Sequence, residues 1–138
     1  MSPTQELTAP ATSEQYRVAL LTVRNRMDGK HLAMLEAHHG APEHTINARG
    51  LAAAVGYSNY SAANLQYGKF ARWIADALGY TPEQRSDGSI PWWMALSYAR
   101  SGSAETRNGE FPWTMRPELV KALETMRWVL ATPLRGSH

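Results

Sequence analysis

From Ser58 to Arg72 the chain reads SNYSAANLQYGKFAR, a run in which amides, hydroxyls and cations recur among small residues. Asparagine can bond adenine at two points, and arginine or lysine can do the same with guanine. Ser58, Asn59, Tyr60, Ser61, Asn64, Gln66 and Lys69 are therefore candidates to approach base edges. Arg72 lies further along and suits a phosphate. Arg100 and Arg107, downstream, suit phosphate or minor-groove contact, although Glu105 and Glu110 weaken the positive field there. Ala62, Ala63 and Gly68 keep the segment slim. A glycine inside a helix costs roughly 1 kcal/mol relative to alanine, so Gly68 suits close approach of a backbone, of DNA or of another protein. The same residue types equally suit a helix face that is only solvated.

Other chemistries fit less well. Glu36, His38, His39, Glu43 and His44 have the composition of a metal site, but their spacing matches no zinc pattern. His38 and His39 fall at a helix C-terminus, where partial positive charge is favourable. The chain has no cysteine, which excludes disulfides, thiolate zinc sites and cysteine nucleophiles. No nucleophile elbow, P-loop or dinucleotide fingerprint occurs. No cofactor, metal or catalytic residue is expected. Five tryptophans suggest base stacking. Trp73, Trp92 and Trp113 fall on apolar faces, however, and read as core. Alternation turns Trp93 away from Trp92, so it is either exposed or covers the other side of a sheet.

The elements that must position these residues follow from periodicity and breakers. Residues 1–12 form an arm without pattern. Ser13 caps a helix over Glu14 to Met27, with Tyr16, Ala19, Leu20 and Val23 at three-and-four spacing. A helix from Lys30 to His38 turns Leu32 and Leu35 inward, and Gly40 ends it in a left-handed cap before Pro42. Thr45 or Asn47 caps a short helix carrying Leu51, Ala52 and Val55, which Gly56 stops. After the turn Tyr57-Ser58-Asn59, a long helix runs from Tyr60 to Leu78. Ala63, Phe70, Ile74 and Ala77 centre its inner face, and Ser61, Asn64, Leu65, Gly68, Lys69 and Arg72 form the opposite one.

Beyond the polar loop Thr81 to Ser89 the period changes to two. Ile90, Trp92, Met94, Leu96 and Tyr98 alternate with smaller residues, and Phe111, Trp113 and Met115 alternate again. The spacing predicts a long-looped hairpin, with Pro112 putting the return strand at an edge or in a bulge. Alternatively the hairpin pairs with a strand near Thr45-Ile46. A last helix starts near Pro117 and buries Leu119, Leu123 and Met126, with Trp128 as an anchor.

Two helices across a tight turn, followed by a hairpin, predict a mainly α fold with a small β-hairpin (α+β), resembling a winged helix-turn-helix. At 138 residues one domain is expected, over residues 13–130, with 131–138 as a tail that ends like an expression-tag remnant. The net charge is +2, or +1 without Arg135, so affinity for DNA depends on where the cations sit. No apolar run is long enough for a membrane span or signal core, and the expected location is the cytoplasm. The partner these residues imply is double-stranded DNA. The alternative is a protein-interaction or dimerisation module on the same scaffold, to which the weak net charge and Leu65 point.

The run LAAAVGYSNYSAANLQYGKFARWIADALGY (Leu51 to Tyr80) resembles a bacterial domain found N-terminal to HNH nuclease domains in restriction-like proteins. HLAMLEAHHGAPEHTINARGLA (His31 to Ala52) and MRPELVKALETMRW (Met115 to Trp128) fit it as well. The resemblance implies a non-catalytic DNA-recognition module that delivers a nuclease, with modified DNA as a conceivable target. Asn59, Tyr60, Asn64, Gln66, Tyr67 and Lys69 fall in its most distinctive run. No HNH motif is present in the sequence, so the expectation covers recognition and not cutting.

Overall fold

A computed structural model of the chain describes residues 9–99 and 109–129. Helix α1 (Ser13–Val23) is capped by Thr12, not Ser13. Gln15 stands three residues after Thr12, and the two side chains bond each other's backbone N–H in a capping box. The helix tightens into a 3₁₀ turn, Arg24–Arg26. Asp28 then caps α2 (Gly29–Gly40), its carboxylate accepting the N–H groups of Lys30 and His31. The buried stripe of α2 is His31, Met34, Leu35 and His38, so Leu32 lies off it and is 36% exposed rather than inward. Gly40 is not left-handed. The reversal falls on Glu43 and His44 (φ 55° and 57°), where His44 Nδ1–H donates to the His39 carbonyl at 2.6 Å.

Strand β1 (Thr45–Ile46) leads into α3 (Ala48–Val55), whose N-terminal Gly50 N–H is accepted by the Asn47 side chain. Gly56 closes α3 in the left-handed conformation, at φ 95°. The turn ends at Asn59, which caps α4 (Tyr60–Leu78) by accepting from Ala62 N–H at 2.8 Å. The inner face of α4 is Ala63, Tyr67, Phe70, Ala71, Ile74 and Ala75. Ala77 is exposed, because α1, α3 and the later segment centre the core on Phe70 and Ile74.

The second half departs most from the alternating pattern. Pro91 fixes its own backbone and offers no N–H, and Trp92–Ala95 coils into a 3₁₀ turn instead of a strand. Only β2 (Ser97–Tyr98) is extended, and Ala95, Leu96 and Ser97 are all buried in succession. The return strand β3 (Trp113–Met115) is central, not at an edge: the antiparallel order is β1-β3-β2. Ile46 pairs Trp113, and Ser97 pairs Met115. Pro112 stands just before the first paired residue, so no ladder donor is lost. Helix α5 (Pro117–Met126) packs on α1 through Leu119, Ala122 and Leu123, while Met126 is only half-buried. Among the described residues no helix is long and apolar enough to cross a membrane.

A chain of buried polar groups joins these layers. His38 Nε2–H donates to the Trp113 carbonyl at 3.0 Å, which leaves Nδ1 as an acceptor. Tyr67 Oη–H reaches that nitrogen at 3.3 Å, and the Ser97 hydroxyl donates to Tyr67 Oη at 2.5 Å. Burial holds His38 neutral, its pKa lowered to about 4, so it brings no positive charge to the end of α2. His38 is engaged structurally, and His39 bonds Glu124 at 2.7 Å. Among the described residues no group of three or more metal-binding side chains is assembled.

The lowered pKa has a consequence for acid stability. As pH falls below the ordinary histidine value of 6.5, the unfolded chain takes up this proton and the folded chain does not until about pH 4. Stability is therefore intact above 6.5 and declines by up to about 3 kcal/mol across that window. Urea titrations from pH 7.5 to 4 check it. His38→Gln is expected to be less stable at pH 7.5 but to lose this part of the slope.

Candidate nucleic-acid interface

The outer side of α4 divides by flank. On one flank Asn64, Gly68, Lys69 and Arg72 form one wall of an open cleft of about 520 Å³. The other wall is aromatic, built from Trp92, Trp93 and Phe111, and Arg85 reaches the cleft from the loop before it. The floor is Tyr67 stacked on Trp113, with ring centroids 4.1 Å apart and planes 10° from parallel. The described residues lining the cleft include three cations (Lys69, Arg72 and Arg85) and no carboxylate. The Arg72 guanidinium lies over the Trp92 ring at 4.8 Å, and Trp93 meets Phe111 edge to face at 5.4 Å. Arg85 is braced by Ser89, whose hydroxyl accepts from Nη1 at 3.0 Å.

The opposite flank of α4 also carries cations. Arg26 lies over Trp73 at 4.1 Å, and Lys30 over Tyr57 at 4.6 Å. Trp73 in turn packs on His31 of α2, which fixes that side of the helix. Such contacts hold guanidinium and ammonium groups in place while leaving their charge at the surface. Asp28 and Asp76, and Asp87 beside Arg85, are the nearby exceptions, all exposed.

The sequence candidates are thus only partly brought together. Asn64, Lys69 and Arg72 share the cleft wall. Ser58, Asn59 and Ser61 are exposed around the first turn of α4, with Asn59 spending its side-chain oxygen on the cap. Gln66 is half-buried and does not line the cleft. Tyr60 is pinned: Arg49 covers its ring at 4.7 Å, and Gly109 presses against it from the hairpin. The Arg49 N–H donates to the Gly109 carbonyl at 3.1 Å, so the return strand is moored beside the start of α4. Arg100 and Arg107 lie outside the described residues. Arg85, Trp93 and Phe111 were not singled out as site residues from the sequence. They come from three separate segments, with Trp93 on the 3₁₀ turn Trp92–Ala95.

Comparison with family models, curated proteins and solved structures finds no match to this chain.

Two glycines at this interface behave oppositely. A Cβ on Gly68 would meet nothing within 4 Å, whereas one on Gly109 (φ 74°) would come within 2.6 Å of the Tyr60 ring. Gly68→Ala is expected to stabilise the fold by about 0.5–1 kcal/mol, the helix-propensity difference. Gly109→Ala should destabilise it by more than about 1 kcal/mol, through strain and displacement of Tyr60. Thermal or urea unfolding of both variants measures the two signs.

Proposed function

We propose that the chain is a non-catalytic, DNA-binding module of winged helix-turn-helix type, with α3 and α4 as the helix pair and the β2–β3 hairpin as the wing. The observation that carries this reading is the arrangement of cations about α4. Lys69, Arg72 and Arg85 are on one flank, and Arg26 and Lys30 are on the other. A net charge of +2 is small, but the cations set about α4 offer phosphate an attractive surface, with exposed Asp76 on the same helix set against them. Ser58 in the turn before α4, and Ser61 and Asn64 on its first two turns, supply exposed hydrogen-bonding groups at the helix end where base edges are read. The resemblance to domains that precede HNH nucleases agrees with a role in targeting, with the nuclease supplied by a partner or a neighbouring domain. A cytoplasmic location goes with this reading.

Fluorescence anisotropy with a labelled duplex tests it. Affinity should fall steeply with salt, with a log–log slope near −0.9 for each phosphate neutralised. Lys69→Gln and Arg72→Gln should each weaken binding across sequences and flatten that slope by about 1. No binding at low salt would refute the reading.

A second reading, a protein-interaction or homodimerisation module, is favoured by specific apolar exposure. Leu65 on the cleft wall is 56% exposed, and Val18 and Leu21, three apart on α1, are 50% and 44% exposed. Concentration-dependent self-association that Leu65→Ser abolishes would support it over the first.

A further inference from the structure

Resting on the DNA-binding reading, we propose that the aromatic cleft beside α4 takes a single unpaired DNA nucleotide, with its base against Trp93 and Phe111 and its phosphate on Lys69, Arg72 and Arg85. Three observations converge on this ligand.

The first is the chemistry of the walls. A nucleobase has flat, weakly polar faces and a polar edge, and the strand that carries it is anionic. Aromatic rings and cations side by side match those two halves. In a paired duplex the base faces are hidden by their neighbours, so an aromatic wall has nothing to stack on. An unpaired or everted base exposes both faces. Asn64, on the opposite wall, has the amide needed to bond a base edge.

The second is space. At about 520 Å³ the cleft falls within the range of about 300–1,000 Å³ found for small-ligand sites. It is far too small for a duplex.

The third is Gly68. A glycine in the middle of a 19-residue helix disfavours that helix, and here no neighbouring atom requires it. Its missing side chain would project into the cleft. The residue makes sense if that volume is kept for something else. The floor is rigid as well: Tyr67 and Trp113 are stacked, buried and tied to His38, so the cleft cannot easily close by collapse.

The test uses the full chain and three labelled oligonucleotides of one sequence: a matched duplex, the same duplex with one bulged nucleotide, and the single strand. The bulged duplex and the single strand are expected to bind at least about fivefold more tightly than the matched duplex, the lower end of what one stacked base supplies. Gly68→Leu fills the cleft and replaces glycine with a better helix former, so the fold is retained. Trp93→Leu removes the stacking wall. In both variants the ratio of bulged to matched affinity should fall to about one. Equal affinity for matched and bulged duplexes, with steep salt dependence in both, would overturn this inference and leave the duplex reading standing. A preference that survives both substitutions would also overturn it. Absence of binding to all three oligonucleotides would overturn both readings.

Discussion

The buried chain from Ser97 through Tyr67 and His38 to the Trp113 carbonyl is the constraint on which the rest depends. Each hydrogen bond in it has a forced direction, because a backbone carbonyl can only accept. That direction fixes the histidine tautomer, the tyrosine proton and the serine proton in turn. Breaking any link leaves a polar atom without a partner among buried side chains, at a cost of about 1–3 kcal/mol. The four residues come from α2, α4, β2 and β3, so one small network sets the position of the sheet against both helices. Burial pushes the Tyr67 hydroxyl well above the usual phenol range, which keeps the proton it must donate.

The same network prepares the outer surface. Tyr67 and Gly68 are neighbours in α4, one locked into the core and the other facing the cleft. Trp113 belongs to the central strand and carries its ring onto Tyr67. A second set of buried polar contacts supports the wall opposite: Tyr16 Oη–H donates to the Ala95 carbonyl at 2.6 Å, and Arg116 Nε–H to that of Met94 at 2.9 Å. A 3₁₀ turn leaves carbonyl groups without helical partners, and these two side chains satisfy them. Trp92 and Trp93 therefore sit on a turn tied down from the core side, which is how a short irregular segment can present rings in fixed positions.

The helical half was legible in the sequence. The turn Tyr57-Ser58-Asn59, Gly79 past the end and an unbroken three-and-four pattern gave α4 its bounds, and Gly56 ended α3, while the choice between Thr45 and Asn47 as its cap fell to Asn47 only in the structure, as did the capping role of Asn59. The β half was less legible. The alternation in residues 90–98 imitates a strand, but tryptophan and methionine fill space on any face, and Pro91 decides the local backbone. The strand at Thr45–Ile46, open from the sequence only as an alternative pairing partner because two residues carry no periodicity, is present and pairs with Trp113 and Thr114. His38 shows a different limit. Its place at a helix end favours a charge, but burial outweighs that, and burial is a property of the whole fold. The cleft was half visible: its α4 wall follows from the helical wheel, while Arg85 and Phe111 approach it from loops that no pattern links.

Position on α4 also bears on how duplex binding and the cleft relate. Lys69 and Arg72 are three residues apart, so both lie on one side of the helix within a single turn. On the proposed DNA-binding reading, a strand whose phosphates they neutralise would run along the lip of the cleft, which both residues line. The exposed Ser61 hydroxyl and Asn64 amide precede them on the same helix, and Ser58 in the turn before it, toward the end beside the moored hairpin. Under the proposed reading, a nucleotide displaced from a duplex held by these cations would lie next to the aromatic wall. Groove contact and base capture would then, under the same reading, be successive uses of one helix, with Gly68, between the two cations and the core, as the position that leaves the cleft open.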